Sequence, residues 1–119
     1  MDITFNTPKL QKEFNDAGSL LRNRGKIQGG KIMIRMGQLI AATNLEVLRP
    51  PTPGHFHSLG ADKHGWCACD LDGNYRLIFE PDHDPLPVLE DGGLNWKLVT
   101  QVKILGVIDY HEQKNKKPV

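Results

Sequence analysis

The tripeptide Asp72-Gly73-Asn74 constrains the fold of this chain most strongly, because it separates two runs that follow a period of two. The runs are WCACDL at 66–71 and YRLIFEP at 75–81. Alternation of period two is typical of a β-strand, and Asp-Gly supplies the backbone angles that a tight hairpin requires. We therefore predict that the two runs pair as an antiparallel hairpin.

The first half of the chain has a different period. MDITF reads as a short strand, and Thr7-Pro8 is typical of a helix start, so we predict a first helix from there to about Arg24. Glycines at 25, 29 and 30 are predicted to interrupt it, and Arg49-Pro50-Pro51 to end the second helix. The apolar stripe of that second helix comprises Ile32, Met36, Leu39, Ile40, Thr43 and Val47.

The remaining segments complete a sheet. Period-two patterns occur at 55–59 and from about Val99 to His111, and the Pro-, Gly- and acid-rich stretch 81–96 is an irregular excursion. The order strand, helix, helix, then strands predicts an α+β domain over residues 1–111. In it a helical hairpin packs on one face of a four- to five-stranded, mainly antiparallel twisted sheet. Residues 112–119 are predicted to be a basic, disordered tail.

The composition is that of an ordinary globular domain, with 39% hydrophobic and 24% charged residues among 119. No apolar run approaches the roughly 20 residues that span a bilayer, and MDITFN lacks the basic and apolar parts of a signal peptide. Cys67 and Cys69 lie too close on one strand for a normal disulfide. We therefore expect a single cytoplasmic domain with no membrane partner.

Charge is spread unevenly, although the formal net charge is only +1. Residues 1–35 carry seven Lys or Arg against three acidic residues, whereas five of the 14 acidic residues fall at 80–91. A basic first part is compatible with a phosphate-rich partner, and also with a solvated helix face.

The last structured segment, KILGVIDYH, stops abruptly on Asp109, Tyr110 and His111. Because side chains alternate along a strand, Asp109 and His111 are predicted on one face, and Tyr110 on the other with Ile108 and Ile104. A histidine exchanges protons near neutral pH, and a neighbouring carboxylate can hold it. The triplet is thus a candidate acid–base group, and a plain polar strand end is the alternative.

A second candidate is a metal site. His55 and His57 form one pair of possible zinc ligands and Cys67 and Cys69 another, each pair on one face of its strand. Structural zinc pairs usually have wider spacing, and small buried cysteines are common in strands. We therefore predict no metal, and keep this set of four residues as the alternative.

Four motifs follow one another in order along the chain: LEVLRPPTPG (45–54), HFHSLGADKHG (55–65), DLDGNYRLIFEP (70–81) and the closing VIDYH. In their order, spacing and shared hairpin they resemble the RelE/HigB group of bacterial toxins, the killer proteins of plasmid maintenance systems. The resemblance spans residues 1–111 and implies a RelE-like fold.

The resemblance also implies an activity. Toxins of this group are ribosome-dependent endoribonucleases that cut messenger RNA in the ribosomal decoding site without a metal or other cofactor. The ribose 2′-hydroxyl attacks the adjacent phosphate, which calls for a base, an acid and cations to hold the developing charge. The implied partners are the ribosome, its message and a cognate antitoxin with a helix-turn-helix domain, and DNA is contacted only through the toxin–antitoxin complex.

Site residues are implied position by position. His111 is the acid or base, Tyr110 a stacking or proton-handling residue, and Asp109 an orienting carboxylate. Arg76, the arginine of the YRL strand, is expected to face Asp109 and His111 across the sheet and to contact phosphate. His57 completes the catalytic set. The residues expected to bind RNA are His55, Lys63, His64 and Arg49.

Two positions depart from the pattern of the group. Gly60 stands where relatives carry a lysine, and His55 where they carry an arginine, so two cations are weakened or lost. Lys63, at an arginine position, compensates in part. Two alternatives therefore stay open: a ParE-like protein that inhibits gyrase without cutting RNA, and an inactive relative that only binds its antitoxin.

Overall fold

The computed structural model describes residues 1–60, 65–110 and 118–119. Its α-helices are α1 (Pro8–Phe14), α2 (Ala17–Arg24) and α3 (Lys26–Ala41), and its 3-10 turns are Leu45–Leu48 and Trp96–Leu98. Its strands are β1 (Asp2–Phe5), β2 (His57–Ser58), β3 (Cys67–Asp70), β4 (Tyr75–Pro81) and β5 (Gln101–Asp109). None of the helices within these ranges is long and apolar enough to cross a membrane.

The five strands form one open sheet in the order β1-β5-β4-β3-β2. β1 runs parallel to β5, and every other neighbouring pair is antiparallel. The prediction of an α+β domain with a five-stranded, mainly antiparallel sheet is therefore confirmed.

The predicted hairpin is formed by β3 and β4. Asp70 lies opposite Arg76, the Tyr75 N–H donates to the Asp72 carbonyl at 2.9 Å, and Gly73 takes the positive φ of 53° that the turn needs. The register is thus centred on Gly73.

The first predicted helix is split in two, so its prediction as one helix to about Arg24 is wrong. α1 begins as predicted, with the Thr7 hydroxyl accepting from the Leu10 N–H at 3.1 Å. Asn15 then caps the end of α1, and Asp16 begins α2 by accepting from the Gly18 N–H at 3.0 Å. Short polar side chains hydrogen-bond nearby backbone groups and so favour helix ends over helix interiors.

The glycines also act differently from the prediction. Only Gly25, with φ +83°, separates α2 from α3, whereas Gly29 and Gly30 lie inside α3. A Cβ on Gly29 would lie 3.1 Å from the Leu20 carbonyl oxygen, so glycine here allows α2 and α3 to pack closely. The second helix ends early, at Ala41, and two residues of its predicted apolar stripe, Ile40 and Val47, are exposed.

The sheet has a helix-covered face and a second face, which we call the outer face. The main core lies between the helices and the helix-covered face of the sheet. It includes Ile32, Leu39, Phe79 and Ile104. A smaller cluster lies on the outer face: Ala68, Ile78, Leu105 and Ile108 are buried there, with Leu59, Trp66 and Tyr110 packed against them.

A bulge in β5 changes which residues share a face. Ile78 lies opposite Gly106 and the next residue, Phe79, lies opposite Ile104, so Leu105 is the extra residue. Ile104 therefore faces the main core, while Ile108 belongs to the outer cluster. The predicted pairing of Tyr110 with Ile108 is confirmed, and its pairing with Ile104 is wrong.

The predicted boundary between domain and tail falls on residues 111–117, which lie outside the described ranges. Beyond them, Pro118 and Val119 lie against β5, and Val119 forms two backbone hydrogen bonds with Val107.

Candidate active site

Five polar residues lie at one end of the outer face: one is on β2 and one just before it, one ends β3, one is on β4, and one directly follows β5. We call them the polar cluster: His55, His57, Asp70, Arg76 and Tyr110. Strand pairing explains the shared face, because His57 lies opposite Ala68, Asp70 opposite Arg76, and Arg76 opposite Ile108. Three predicted site residues on separate segments, His57, Arg76 and Tyr110, are thereby brought to one surface.

Arg76 lies at the centre of the polar cluster. Its Nε lies 3.0 Å from Oδ1 of Asp70, and its Nη1 donates to the carbonyls of Gly73 at 3.0 Å and Tyr75 at 2.9 Å. Its Cζ lies 5.9 Å from the centroid of the Tyr110 ring. Among the described residues Nη2 makes no hydrogen bond or ion pair, so one edge of the fork is available to an anion.

The Asp70–Arg76 contact is an ion pair rather than an aligned hydrogen bond. Oδ1 of Asp70 is shielded from solvent, and within the described ranges no donor is directed at it in hydrogen-bond geometry. Nδ1 of His55 lies 3.6 Å from the same oxygen. Asp70 therefore holds one cation beside it and is positioned to hold a second when His55 is protonated.

The two histidines are stacked. Their ring centroids lie 4.4 Å apart with an interplanar angle of 24°, and Nδ1 of His57 lies 2.7 Å from the carbonyl oxygen of His55. A carbonyl only accepts, so Nδ1 of His57 carries a proton and donates it. In the neutral ring the lone pair then lies on Nε2, which makes His57 a candidate general base.

Backbone strain accompanies this stacking. His55 has a positive φ of 49°, a conformation that is uncommon for a residue with a side chain. The preceding Gly54 has φ +109°, and a Cβ there would lie 2.8 Å from Phe56 and 3.0 Å from Nε of Arg35. Glycine at 54 is therefore needed where the chain enters the cluster.

Arg35 supports the polar cluster from the helix side. It is buried on α3, and its Nε donates to the Asp70 carbonyl at 2.7 Å. The Asp70 N–H in turn donates to the Gly54 carbonyl at 2.8 Å. One buried arginine thus bonds to the backbone at the end of β3, which in turn bonds to the backbone that leads into His55.

Tyr110 is a half-buried phenol at the end of β5. Burial raises its pKa, and the nearby Arg76 guanidinium opposes that shift. At neutral pH the side chain is therefore a neutral phenol, which can donate a hydrogen bond or a proton and can stack on a base.

Asp109 lies on the other face from Arg76. It pairs across the strands with Tyr75, whereas Arg76 pairs with Ile108. The expectation that Arg76 faces Asp109 across the sheet is therefore wrong. Arg76 shares a face with its partner Ile108, and the side chain of the next residue, Asp109, points to the opposite face. Asp109 is not free, because it takes part in a separate interaction. His111, the third member of the triplet, lies outside the described residues.

Of the four expected RNA-binding residues, the structure describes His55 and Arg49. Lys63 and His64 lie outside the described residues. Arg49 is engaged elsewhere, since its Nε lies 2.7 Å from Oε2 of Glu46 and its Cζ lies 4.2 Å from the centroid of the buried Trp96 ring. Of the two described residues, His55 belongs to the cluster and Arg49 does not.

The alternative zinc set does not assemble. Cys67 and Cys69 point into the main core and are fully buried, whereas His57 pairs with Ala68 on the outer face. Burial raises the pKa of Cys67 to about 12 and also raises that of Cys69, which disfavours the thiolate that a metal requires. Within the described ranges there is no group of three or more potential metal ligands.

Sequence reasoning missed Asp70 and Arg35 as site residues. Asp70 was detectable, because a hairpin centred on Gly73 places residues 70 and 76 opposite each other. Arg35 carried no such signal, since its contact with Asp70 joins residues 35 positions apart in the chain.

Comparison with known proteins adds no identification. No protein-family model matches the chain. No curated protein matches it at a significant level.

Proposed function

We propose that the protein is the toxin of a type II toxin–antitoxin system and cleaves messenger RNA on the ribosome. One observation carries the proposal: the guanidinium of Arg76, held by Asp70, shares one partly exposed surface with the neutral phenol of Tyr110 and with His57, whose Nδ1 lies 2.7 Å from a backbone carbonyl. A base, a phosphate-binding cation and a proton donor are the groups that 2′-hydroxyl attack requires.

In this mechanism Nε2 of His57 takes the proton of the ribose 2′-hydroxyl as that oxygen bonds to the adjacent phosphorus. The bond from phosphorus to the 5′-oxygen of the next nucleotide breaks, and that oxygen receives a proton from His111, the acid that the family resemblance implies. The products are a 2′,3′-cyclic phosphate and a 5′-hydroxyl. No metal or other cofactor takes part.

Arg76 stabilises the charge that develops on the phosphate. Asp70 and two backbone carbonyls restrict the guanidinium, so little reorganisation is needed when an anion arrives. Tyr110 stacks on a base or donates to the phosphate, while His55, when protonated beside Asp70, adds a second cation at the position where relatives carry an arginine. This supports activity despite the glycine at position 60.

The proposal includes partners and a compartment. The protein acts in the cytoplasm on the ribosome and its message, and a cognate antitoxin with a helix-turn-helix domain neutralises it. Contact with DNA occurs through the toxin–antitoxin complex.

Induced expression tests the proposal. Wild-type protein should stop growth and produce message fragments that begin with a 5′-hydroxyl within translated regions, and His111→Ala should abolish both effects. Undiminished toxicity of His111→Ala would contradict the assignment of that residue, and growth arrest without cleaved messages would contradict the nuclease itself.

A second candidate function rests on the balance of charge in the polar cluster. Asp70 partly neutralises Arg76, and Gly60 provides no cation, which favours a ParE-like inhibitor of gyrase that binds without cutting. A supercoiling assay with purified gyrase separates the two activities, because only the inhibitor reduces supercoiling. An inactive relative that binds only an antitoxin would be harmless when expressed alone.

A further inference from the structure

The edge of β5 that faces away from β4 has β1 as its partner along only part of its length. β1 pairs with Gln101 to Ile104, and the Asn6 N–H makes the last of these contacts with the Ile104 carbonyl at 2.9 Å. The chain then turns away, because Thr7 caps the start of α1. Beyond this point the edge of β5 is open to another extended segment.

Pro118 and Val119 occupy that open edge. The Val107 N–H donates to the Val119 oxygen at 2.7 Å, and the Val119 N–H donates to the Val107 carbonyl at 2.8 Å. Two residues that exchange both backbone bonds form the closely bonded pair of an antiparallel ladder. Pro118 has no N–H to satisfy, which suits a residue at a sheet edge.

Gly106 leaves room for this added segment. A Cβ at position 106 would lie 3.0 Å from the Val119 nitrogen and 3.1 Å from Pro118. Its φ of +135° also favours glycine. Any side chain at this position would therefore obstruct a segment that pairs with Val107.

Arg24 completes the contacts from the helix side. Its Nη1 donates to the Val119 oxygen at 2.8 Å. Its Nε and Nη2 donate to the two carboxylate oxygens of Glu13, each at 3.0 Å, and both side chains are largely shielded. Because Glu13 fixes the guanidinium, Nη1 is aimed at whatever acceptor lies on the edge of β5.

A cavity continues from this edge over the helices. It has a volume of about 580 Å³ and is bounded by the β1–α1 turn, α1, α2, Leu105 and the segment 118–119. Lys9, Glu13 and Arg24 supply its charged groups. Pro118 and Val119 line this space, which leaves room beside them for a longer segment.

We propose that this edge, formed by Leu105 to Val107 together with Arg24, is a strand-addition site for an extended peptide segment of a partner protein. The segment that fits this site runs antiparallel to β5. Beside Gly106 it carries proline or another residue whose backbone N–H is not needed for pairing. It places a β-branched residue opposite Val107 and a hydrogen-bond acceptor near Arg24. Residues 118–119 show this chemistry and are displaced when the partner binds. The inference does not depend on RNA cleavage.

A titration of the isotope-labelled, full-length protein tests the site. The probe is an unlabelled peptide copying residues 112–119, EQKNKKPV, and the control peptide ends in Gly-Gly instead of Pro-Val. As the probe replaces the chain's own segment, the Val119 amide resonance should move to its free position while the Val107 amide stays protected from exchange. Half-displacement is expected at about 1 mM, the effective concentration typical of a short tether.

Substitution of Arg24 tests the selectivity of the site. In Arg24→Met the Val107 amide should exchange about tenfold faster than in the wild type, because one hydrogen bond to a charged group is lost. Arg22→Met is the matched control, since Arg22 contacts Ser19 at 3.3 Å on the exposed side of the same helix. Gly106→Val should abolish the protection, and its circular dichroism spectrum shows whether it folds.

Three results would overturn the proposal. The first is a Val119 resonance that does not move at roughly 10 mM probe, which is ten times the expected effective concentration. The second is equal displacement of residues 118–119 by the Gly-Gly peptide. The third is an unchanged rate of Val107 amide exchange in Arg24→Met. The third result overturns the proposal whether or not Gly106→Val folds.

Discussion

Oδ1 of Asp70 lies 3.0 Å from Nε of Arg76, and the two residues are direct partners across β3 and β4. A carboxylate at the end of β3 therefore sets the direction of the cation at the centre of the polar cluster. The phosphate-binding group of the proposed nuclease is held by the hairpin itself, with Arg35 supporting the Asp70 backbone from behind.

Asp70→Asn should impair cleavage more than stability. The ion pair is partly exposed, so its loss should cost less than about 1 kcal/mol of unfolding free energy. Misplacement of Arg76 should slow cleavage by about 10- to 100-fold. Urea denaturation and single-turnover cleavage measure the two effects, with the exposed Asp84→Asn as control. A large loss of stability with unchanged cleavage would show that Asp70 has only a structural role.

His57→Ala should remove the general base. Loss of such a group typically slows a reaction by about 10²- to 10⁴-fold. His83→Ala is the matched control, because the His83 ring accepts backbone N–H groups of Thr100 at 3.1 Å and Gln101 at 3.3 Å, apart from the polar cluster. Cleavage assays with programmed ribosomes give the rates. Wild-type cleavage by His57→Ala would assign the base to another residue.

The phenol of Tyr110 should ionise above the ordinary tyrosine pKa of about 10. Burial raises the pKa of Tyr110, so the folded state favours the neutral form. The resulting stabilisation is fully present below pH 10 and is lost as the pH rises through the raised pKa. The difference between the phenolate absorbance titrations of wild type and Tyr110→Phe isolates this group. A midpoint below pH 10 would contradict the buried position of the ring.

Both thiols should resist modification in the folded protein. The reactive species is the thiolate, and burial raises the pKa of Cys67 to about 12 and also raises that of Cys69. At pH 8 a thiol-specific chromogenic reagent should react at least about a hundredfold more slowly with native than with unfolded protein. One equivalent of zinc should leave the native rate unchanged. Rapid native reaction, or protection by zinc, would revive the metal-site alternative.

The hairpin and the paired strands were predictable because their signals are local. Alternation on either side of Asp72-Gly73-Asn74 fixes the strands and the turn together, and the register about Gly73 is enough to pair Asp70 with Arg76. The same locality placed Tyr110 on the face of Ile108.

The errors arise where a local signal was overlooked or where tertiary contacts decide the structure. Periodicity alone made one helix of α1 and α2, because apolar spacing continues through Asn15 and Asp16 although both prefer helix ends. The bulge at Leu105 reverses the faces of the residues before it, and the neighbouring Gly106 is a local sign of a bulge that the period-two reading did not use. By contrast, the contact of Arg35 with Asp70 depends on how α3 docks against the sheet.

Cleavage of a message with a single 2′-deoxynucleotide in the ribosomal decoding site tests the central claim most directly. The proposed reaction uses the 2′-hydroxyl as its nucleophile, so purified wild-type protein should cut the all-ribose message and leave the substituted message intact at that position. Arg76→Met should cut neither. Equal cleavage of both messages by the wild-type protein would contradict the account.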